Sequence, residues 1–299
     1  MLIAEVGNNH EGLFSNALRL IDLAAPHCDA VKFQIFRAER LVHPDLPARV
    51  GGGTQLDRLK SLEFSDDQWH DLRRHCEEQG VEFMATCFDV QTLKEWAPHL
   101  KRIKISSGDN TYEPLIEAAA ATGKPVIVST GGADRWSLCR IRQIIRPFSL
   151  TFLHCVSRYP CTRPGLGWIR DLQEIHDRVG YSCHTPGIEA CYAAAVMGAL
   201  VIEKHFTDER RTYGDHQHSA LPQELKELRR RLTELRQLME YDNQPVDYTL
   251  KRGTYAARAI RKGESITEES VVWLRPDSGR IALPSVAERD YQPFEAVHG

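Results

Sequence analysis

Short apolar runs recur along the chain, and most of them end in a charged or hydroxylic residue. They are LIAEVG (2–7), AVKFQIF (30–36), EFMATCFD (82–89), RIKISSG (102–108), PVIVST (125–130), LTFLHCVS (150–157), VGYSCHT (179–185) and ALVIEKHF (199–206). A stretch of helical periodicity follows each run. SNALRLIDLAA takes Ser15 as its N-cap. SDDQWHDLRRHCEEQG runs from Ser65 or Asp66 to a stop at Gly80, and YEPLIEAAAATGK stops at Gly123. GIEACYAAAVMGA is small and apolar enough to pack tightly, and PQELKELRRRLTELRQLMEY is the eighth helix. Strict strand–helix alternation predicts an α/β fold, a (β/α)8 TIM barrel over residues 1–241. A linker, 242–252, then leads to a small, mostly β segment at 253–299 that is too short to be expected to stand alone. The longest connection, 37–64, contains Pro44, Pro47 and Gly51 to Gly53, and reads as a lid or an unstructured loop beside the rim.

In such a barrel the strand C-termini form the rim where chemistry is assembled. Glu5, Lys32, Asp89, Lys104, His154, His184, Glu203 and His205 are therefore expected to converge, which points to an enzyme. Side chains alternate along a strand, so parity assigns each a face. Lys32 and Gln34 face in, and Val31 and Phe33 face the helices. Lys104 faces in and leaves Ile103 and Ile105 outside. Glu203 and His205 share the inner face, with Ile202 on the other. His154 is placed inward, with Leu153 and Cys155 outward. Buried charges without partners are costly, so this polar set belongs to a pocket rather than to a plain core.

A chain of 299 residues suits one barrel of about 250 residues plus a small appendage. A formal charge of −3, with acids and bases interspersed, offers no basic face for nucleic acid. The chain opens on a strand rather than a signal segment, and no apolar run approaches the roughly 20 residues of a membrane span. A soluble, cytoplasmic protein is expected. The eight cysteines lack CxxC spacing, so reduced thiols are expected, with Cys28, Cys76, Cys139 and Cys191 in helix cores.

His184 and His205 end neighbouring strands, and two neutral imidazoles there suit a divalent metal with open positions, Glu203 beside them. Lys32 and Lys104, with Ser106, Ser107, Ser129, Thr130, Ser157 and Ser182, suit a phosphate and a carboxylate on one ligand. The alternative use of the lysines is a structural ion pair with Glu5 or Glu203. Glu5 is a candidate general acid or base.

IAEVGNNHEG, AVKFQ, KISSGD, STG, LHCVSRYP, GYSCHT, VIEKHFT and DHQHS, in that order, resemble the sialic acid synthase family, and the tail resembles its antifreeze-like SAF domain. The resemblance implies condensation of phosphoenolpyruvate with an N-acylated amino sugar to a 2-keto-3-deoxy sugar acid and phosphate, with manganese or magnesium required. It implies catalytic roles for Glu5, Lys32, Lys104, His184 and His205, the last two as metal ligands. Phosphoenolpyruvate contacts are implied for Lys32, Lys104, Ser107, Ser129, Ser157 and Ser182. Sugar contacts are implied for Glu5, Gln34, Asp109, Tyr159, Asp215 and Arg275, the arginine reaching across a domain-swapped homodimer.

Some positions depart from the family pattern. Cys183 stands where the family has Asp; parity turns it away from the barrel, and the alternative is a thiolate near the metal that favours zinc. Gly132, Tyr112, Arg158 and the proline-free TYGDHQH fall on the sugar side. They imply an acceptor other than N-acetylmannosamine, bearing an extra acidic or polar group. The tail stops after FEAVHG where the family continues, so looser closure over the site is expected. Two other readings stand beside the first: a related condensing barrel that takes a phosphorylated sugar, and a binding or regulatory protein without activity. Phosphate release across a panel of sugars separates all three.

Overall fold

The computed structural model describes residues 1–48, 52–240, 248–277, 279 and 281–297. Strands β1 (Leu2–Gly7), β2 (Ala30–Ile35), β3 (Glu82–Cys87), β4 (Ile103–Ile105), β5 (Val126–Ser129), β6 (Leu150–Cys155), β7 (Val179–Cys183) and β8 (Ile202–His205) pair in sequence order. All pairs are parallel, and β8 pairs back onto β1 to close the barrel. The helices are α1 (Phe14–Ala24), α2 (Ala38–Leu41), α3 (Gln55–Lys60), α4 (Asp66–Glu78), α5 (Val90–Trp96), α6 (Glu113–Ala121), α7 (Arg135–Ile144), α8 (Trp168–Ile175), α9 (Glu189–Val196) and α10 (Pro222–Met239). The (β/α)8 expectation therefore holds.

Helix ends follow local chemistry. Ser65 caps α4 in a capping box, its Oγ accepting from Gln68 N at 3.2 Å while Ser65 N donates to Gln68 Oε1 at 3.0 Å. Gly80 and Gly123 follow their helices at φ +71° and +69°, a conformation in which a side chain would strain. Ser15 is not a cap. Leu13 holds that position without a side-chain bond, and Ser15 lies inside the first turn of α1.

The outward face of the strands forms the main core. Val31, Phe33, Ile103, Ile105 and Ile202 pack there with Leu20, Trp69, Leu115 and Leu225 from the helices. Inside, Ile3, Ala30, Met84, Ile127, Leu153 and Val201 form a separate apolar floor. That floor corrects the parity of β6. Leu153 points in, so Cys155 does too, and His154 points out. There its Nε2 lies 2.6 Å from the Pro164 carbonyl and its ring stacks on Tyr181 at 5.8 Å. An imidazole with a carbonyl partner is as well placed outside the barrel as in it. Asp89 is likewise absent from the mouth. It caps α5, accepting from Thr92 N at 2.9 Å and Thr92 Oγ1 at 2.6 Å, with Arg40 at 3.2 Å.

The connection after β2 is built rather than slack: α2 and α3 cover a small cluster of Phe36, Ala38, Leu59 and Leu62. Residues 49–51 of it lie outside the described residues. Cys139 is exposed and not a core residue, whereas Cys28, Cys76 and Cys191 are buried.

The chain divides into two compact units, Met1–Met239 and Glu240–Gly299. Residues 242–247 of the expected linker lie outside the described residues. The second unit pairs β9 (Gly253–Ala256) antiparallel with β11 (Val271–Leu274), and β10 (Ser265–Ile266) with β12 (Ser285–Val286). Its own core contains Ala256, Ile260, Ile266, Val271 and Tyr291. Among the described residues no helix is long and apolar enough to cross a membrane.

Candidate active site

Strand register brings the polar residues of the mouth side by side. Glu5 on β1 lies opposite Lys32 on β2 and His205 on β8, and Ser182 on β7 lies opposite Glu203 on β8. Inward parity does the rest. The resulting cavity of about 60 Å³ is lined by Glu5, Lys32, Gln34, Thr86, Phe88, Lys104, Ser106, Ser107, Ser129, Cys155, Tyr159, Ser182, His184, Glu203 and His205.

Two ammonium groups and two carboxylates meet at its base. Lys32 Nζ is 2.6 Å from Glu5 Oε2 and 3.8 Å from Glu203 Oε2, and Lys104 Nζ is 3.8 Å from Glu203 Oε1. All four are nearly sealed, at 2–5% exposure, so the lysines are both ion-paired and at the mouth. Lys32 also donates to Thr86 Oγ1 at 3.1 Å, and Lys104 to Ser129 Oγ at 2.7 Å. Ser182 Oγ donates to Glu203 Oε1 at 3.1 Å, and Gln34 Nε2 to Glu5 Oε1 at 3.2 Å.

Burial sets the charges against one another. It pushes the Glu5 carboxyl up, Lys32 opposes and Glu203 adds to the rise. Glu203 is held below its ordinary range: burial opposes this, and the Lys104 and Lys32 charges win. Lys32 is raised because Glu203 and Glu5 outweigh its burial, while burial and the Lys32 charge leave Lys104 lowered.

A hydroxyl cradle opens beside Lys104. Gly131 N donates to Ser107 Oγ at 3.1 Å, and a β-carbon on Gly131 would sit 2.3 Å from Ser157 Oγ and 2.8 Å from Ser107 Oγ. Glycine is what lets the three groups approach. Thr130 is spent elsewhere, donating to the Leu153 carbonyl at 3.1 Å.

On the other side stand the histidines. The His184 and His205 rings are 5.4 Å apart, and the exposed Tyr159 ring lies 4.2 Å from His184. His184 Nδ1 is 2.8 Å from the Val156 carbonyl, which makes that nitrogen the donor and Nε2 the one available to a ligand in the neutral ring; burial lowers its pKa, but Cys155 and the Val156 bond raise it overall. Burial, then His218 and His184, hold His205 well below the usual histidine pKa, so its imidazole is neutral. Asp215 Oδ2 lies 3.8 Å from His205 Nδ1.

The family model described as NeuB matches residues 20–244, three quarters of the chain. The chain belongs to the NeuB family. It is an enzyme of the sialic acid synthase-like type. It is 33% identical to the N,N'-diacetyllegionaminic acid synthase of Legionella pneumophila over 93% of this chain and 86% of that protein. It is 30% identical to the Campylobacter jejuni protein of the same name, over 99% and 98% of the two chains. Among solved structures it resembles the N-acetylneuraminic acid (sialic acid) synthetase of Leptospira borgpetersenii, a citrate complex. That match has a TM-score of 0.73 and 33% identity, over 82% of this chain and 87% of that chain.

The other expected residues of this NeuB chain fall in different places. Asp109 lies just beyond the lining, accepting from Ser106 Oγ at 2.5 Å, and burial raises its pKa. Arg275 is exposed after β11 and belongs to the second unit. Cys183 points outward as parity requires, into the helix-side core, with Lys204 Nζ 3.6 Å from its sulfur. Burial pushes that thiol up, but hydrogen bonding to Cys191 and the Lys204 charge hold it below its usual value.

Spacing did not select Thr86, Cys155, Lys204 or His218. Lys204 is completely buried, donating to the His218 carbonyl at 2.7 Å and to the Thr185 carbonyl. His218 closes a 3₁₀ turn, Gly214–His218, that also carries Asp215. Residues i and i+3 of such a turn eclipse, so the DHQH spacing held the signal that the two face one way. A second cavity of about 210 Å³ adjoins them, lined by Asn8, Asn9, Glu11, Arg58, Ser61, Leu62, Tyr213, Gly214, Asp215 and His216.

Proposed function

We propose that this barrel condenses phosphoenolpyruvate with an N-acylated amino sugar and water, giving a sialic-acid-like 2-keto-3-deoxy nonulosonate and inorganic phosphate. The observation that carries the reading is the pair of buried ammonium groups beside a hydroxyl cradle, a set suited to a ligand bearing both phosphate and carboxylate. Lys32 and Lys104 bind that ligand's charge, and Ser107, Ser129, Ser157 and Ser182 orient it. Carbon 3 of the enol phosphate attacks the acceptor's aldehyde carbon, and the aldehyde oxygen takes a proton. Water adds at carbon 2, and the tetrahedral centre loses phosphate by C–O cleavage. Glu5, paired with Lys32 and facing His205, is placed to move the protons.

The imidazoles of His184 and His205 fit a divalent ion, because the Val156 bond occupies His184 Nδ1 and leaves Nε2 for a ligand, and His205 Nδ1 is buried without a hydrogen-bond partner. When bound there, the ion supplies Lewis-acid polarisation of the acceptor's aldehyde oxygen. Gln34, Tyr159, Asp109 and Asp215 face the acceptor, and the adjoining cavity gives its distal groups a place. The departures at Gly132, Tyr112 and Arg158 favour a modified hexosamine, in keeping with the names of the legionaminic acid synthases.

The second unit is read as a SAF-like domain whose Arg275 serves the partner's acceptor in a domain-swapped homodimer. Mixing Arg275→Ala with Lys104→Met protomers then restores activity that neither variant has alone. Phosphate release from phosphoenolpyruvate across a panel of free and phosphorylated amino sugars tests the main reading. Turnover with free N-acylated hexosamines is expected; no turnover with any aldehyde would overturn it.

A further inference from the structure

His218 has no part in the condensation as derived, and its side chain is fully buried, at 0% exposure. Neither of its ring nitrogens has a hydrogen-bond partner. Burying an imidazole in that state costs the desolvation of two polar atoms, so the position calls for a partner. The neighbours supply one kind. The His218 ring lies 4.8 Å from that of His205 and 5.7 Å from that of His184. His218 Nε2 is 3.9 Å from Asp215 Oδ1, and the other oxygen of that carboxylate is 3.8 Å from His205 Nδ1. His205 Nδ1 is also buried and unpartnered. One donor atom from each of His205, Asp215 and His218 falls within 4.8 Å of the others. Bonds of about 2.0–2.2 Å to a central ion spread the donors over about 3 to 4.4 Å, so shifts of a few tenths of an ångström close the set. Lys204 fixes the turn from behind by holding the His218 carbonyl.

We propose that His218 is a third imidazole ligand of the divalent ion, joined by Asp215, and that the nitrogen-rich set takes a zinc- or cobalt-like ion in preference to magnesium. Imidazole donors suit zinc, cobalt and iron, whereas magnesium favours oxygen donors and water. This deepens the metal-dependent reading of the same pocket and rests on it.

The test measures metal binding without substrate, so failure of the synthase reading leaves it standing. The metal-free protein is titrated with Co²⁺ and followed by visible absorption, with Zn²⁺ and Mg²⁺ as competitors. One Co²⁺ binds per chain, Zn²⁺ displaces it at equivalence, and a thousandfold excess of Mg²⁺ does not. His218→Ala weakens Co²⁺ binding by more than about 100-fold, beyond the 10–100-fold that loss of an outer partner costs, and changes the band shape. His218→Gln provides a second variant should the alanine form melt before titration. X-ray absorption of the zinc-loaded wild type needs no variant, and three imidazoles are expected. Two imidazoles, an unchanged cobalt spectrum in a folded His218 variant, or wild-type protein that binds neither Co²⁺ nor Zn²⁺ would each overturn the proposal.

Discussion

The floor and the mouth of the barrel are lined from the same strands and on the same face, yet they share no chemistry. Ile3, Ala30, Met84, Ile127, Leu153 and Val201 fill the floor. Two residues further along each of those chain segments stand Glu5, Lys32, Thr86, Ser129, Cys155 and Glu203, all lining the mouth. One step of the pleat separates a dry plug from a charged pocket. The plug excludes water beneath the charges, and interactions between them strengthen as the local dielectric falls. It also forces the lysines to be paired before any ligand arrives, since an unpaired ammonium there would be costly.

Substitutions in the two layers should therefore part company. The largest effect belongs to the mouth: Lys104→Met should lower kcat/KM for phosphoenolpyruvate by about 10³-fold, and retention of a tenth of the activity in a steady-state assay would break the comparison. At the floor, Leu153→Ala should lower stability by about 3 kcal/mol in urea unfolding, with turnover by folded protein unchanged within about twofold. A fall in turnover without a fall in stability would erase the distinction between layers.

A third outcome concerns a residue outside both. His10 is 1% exposed among Phe33, Phe64 and Trp69, and burial lowers its pKa from 6.5 to about 4. The folded state keeps it neutral while the unfolded chain protonates it below pH 6.5. Its contribution is intact above that pH and is lost as pH falls towards about 4, up to about 3 kcal/mol. His10→Asn, which retains an acceptor for Gly12 N, should flatten that part of the stability profile, and an unchanged slope would remove His10 from the account. The smallest effect is expected at Asp89. Its replacement by alanine should cost about 1 kcal/mol as a lost helix cap, with no change in kcat. A tenfold drop in kcat would return Asp89 to the mouth.

Asp89 and His154 show why some of the site was not legible. Aspartate before a helix serves a cap as readily as a pocket, and nothing in FDV or LHC says which. For His154, polarity suggested the inner face, but the outer face offered the Pro164 carbonyl and the Tyr181 ring. Lys32 and Lys104 were legible because apolar neighbours on both sides fixed their parity, and Glu203 and His205 because Ile202 and Phe206 flank the pair. Arg275 sits in the second unit, and its expected place opposite a partner's sugar rests on resemblance alone.

The sequence by itself determined the eight strands, their alternation with helices and the face of most inward residues, because periodicity and caps act over a few residues. Only the tertiary structure decided which inward residues touch. The pairing of Lys32 with Glu5 and the meeting of His205, Asp215 and His218 depend on closure of β8 against β1 and on the path of one turn. Contacts of that kind are set by register across the barrel, and no local pattern encodes the distance between strands that lie far apart in the chain.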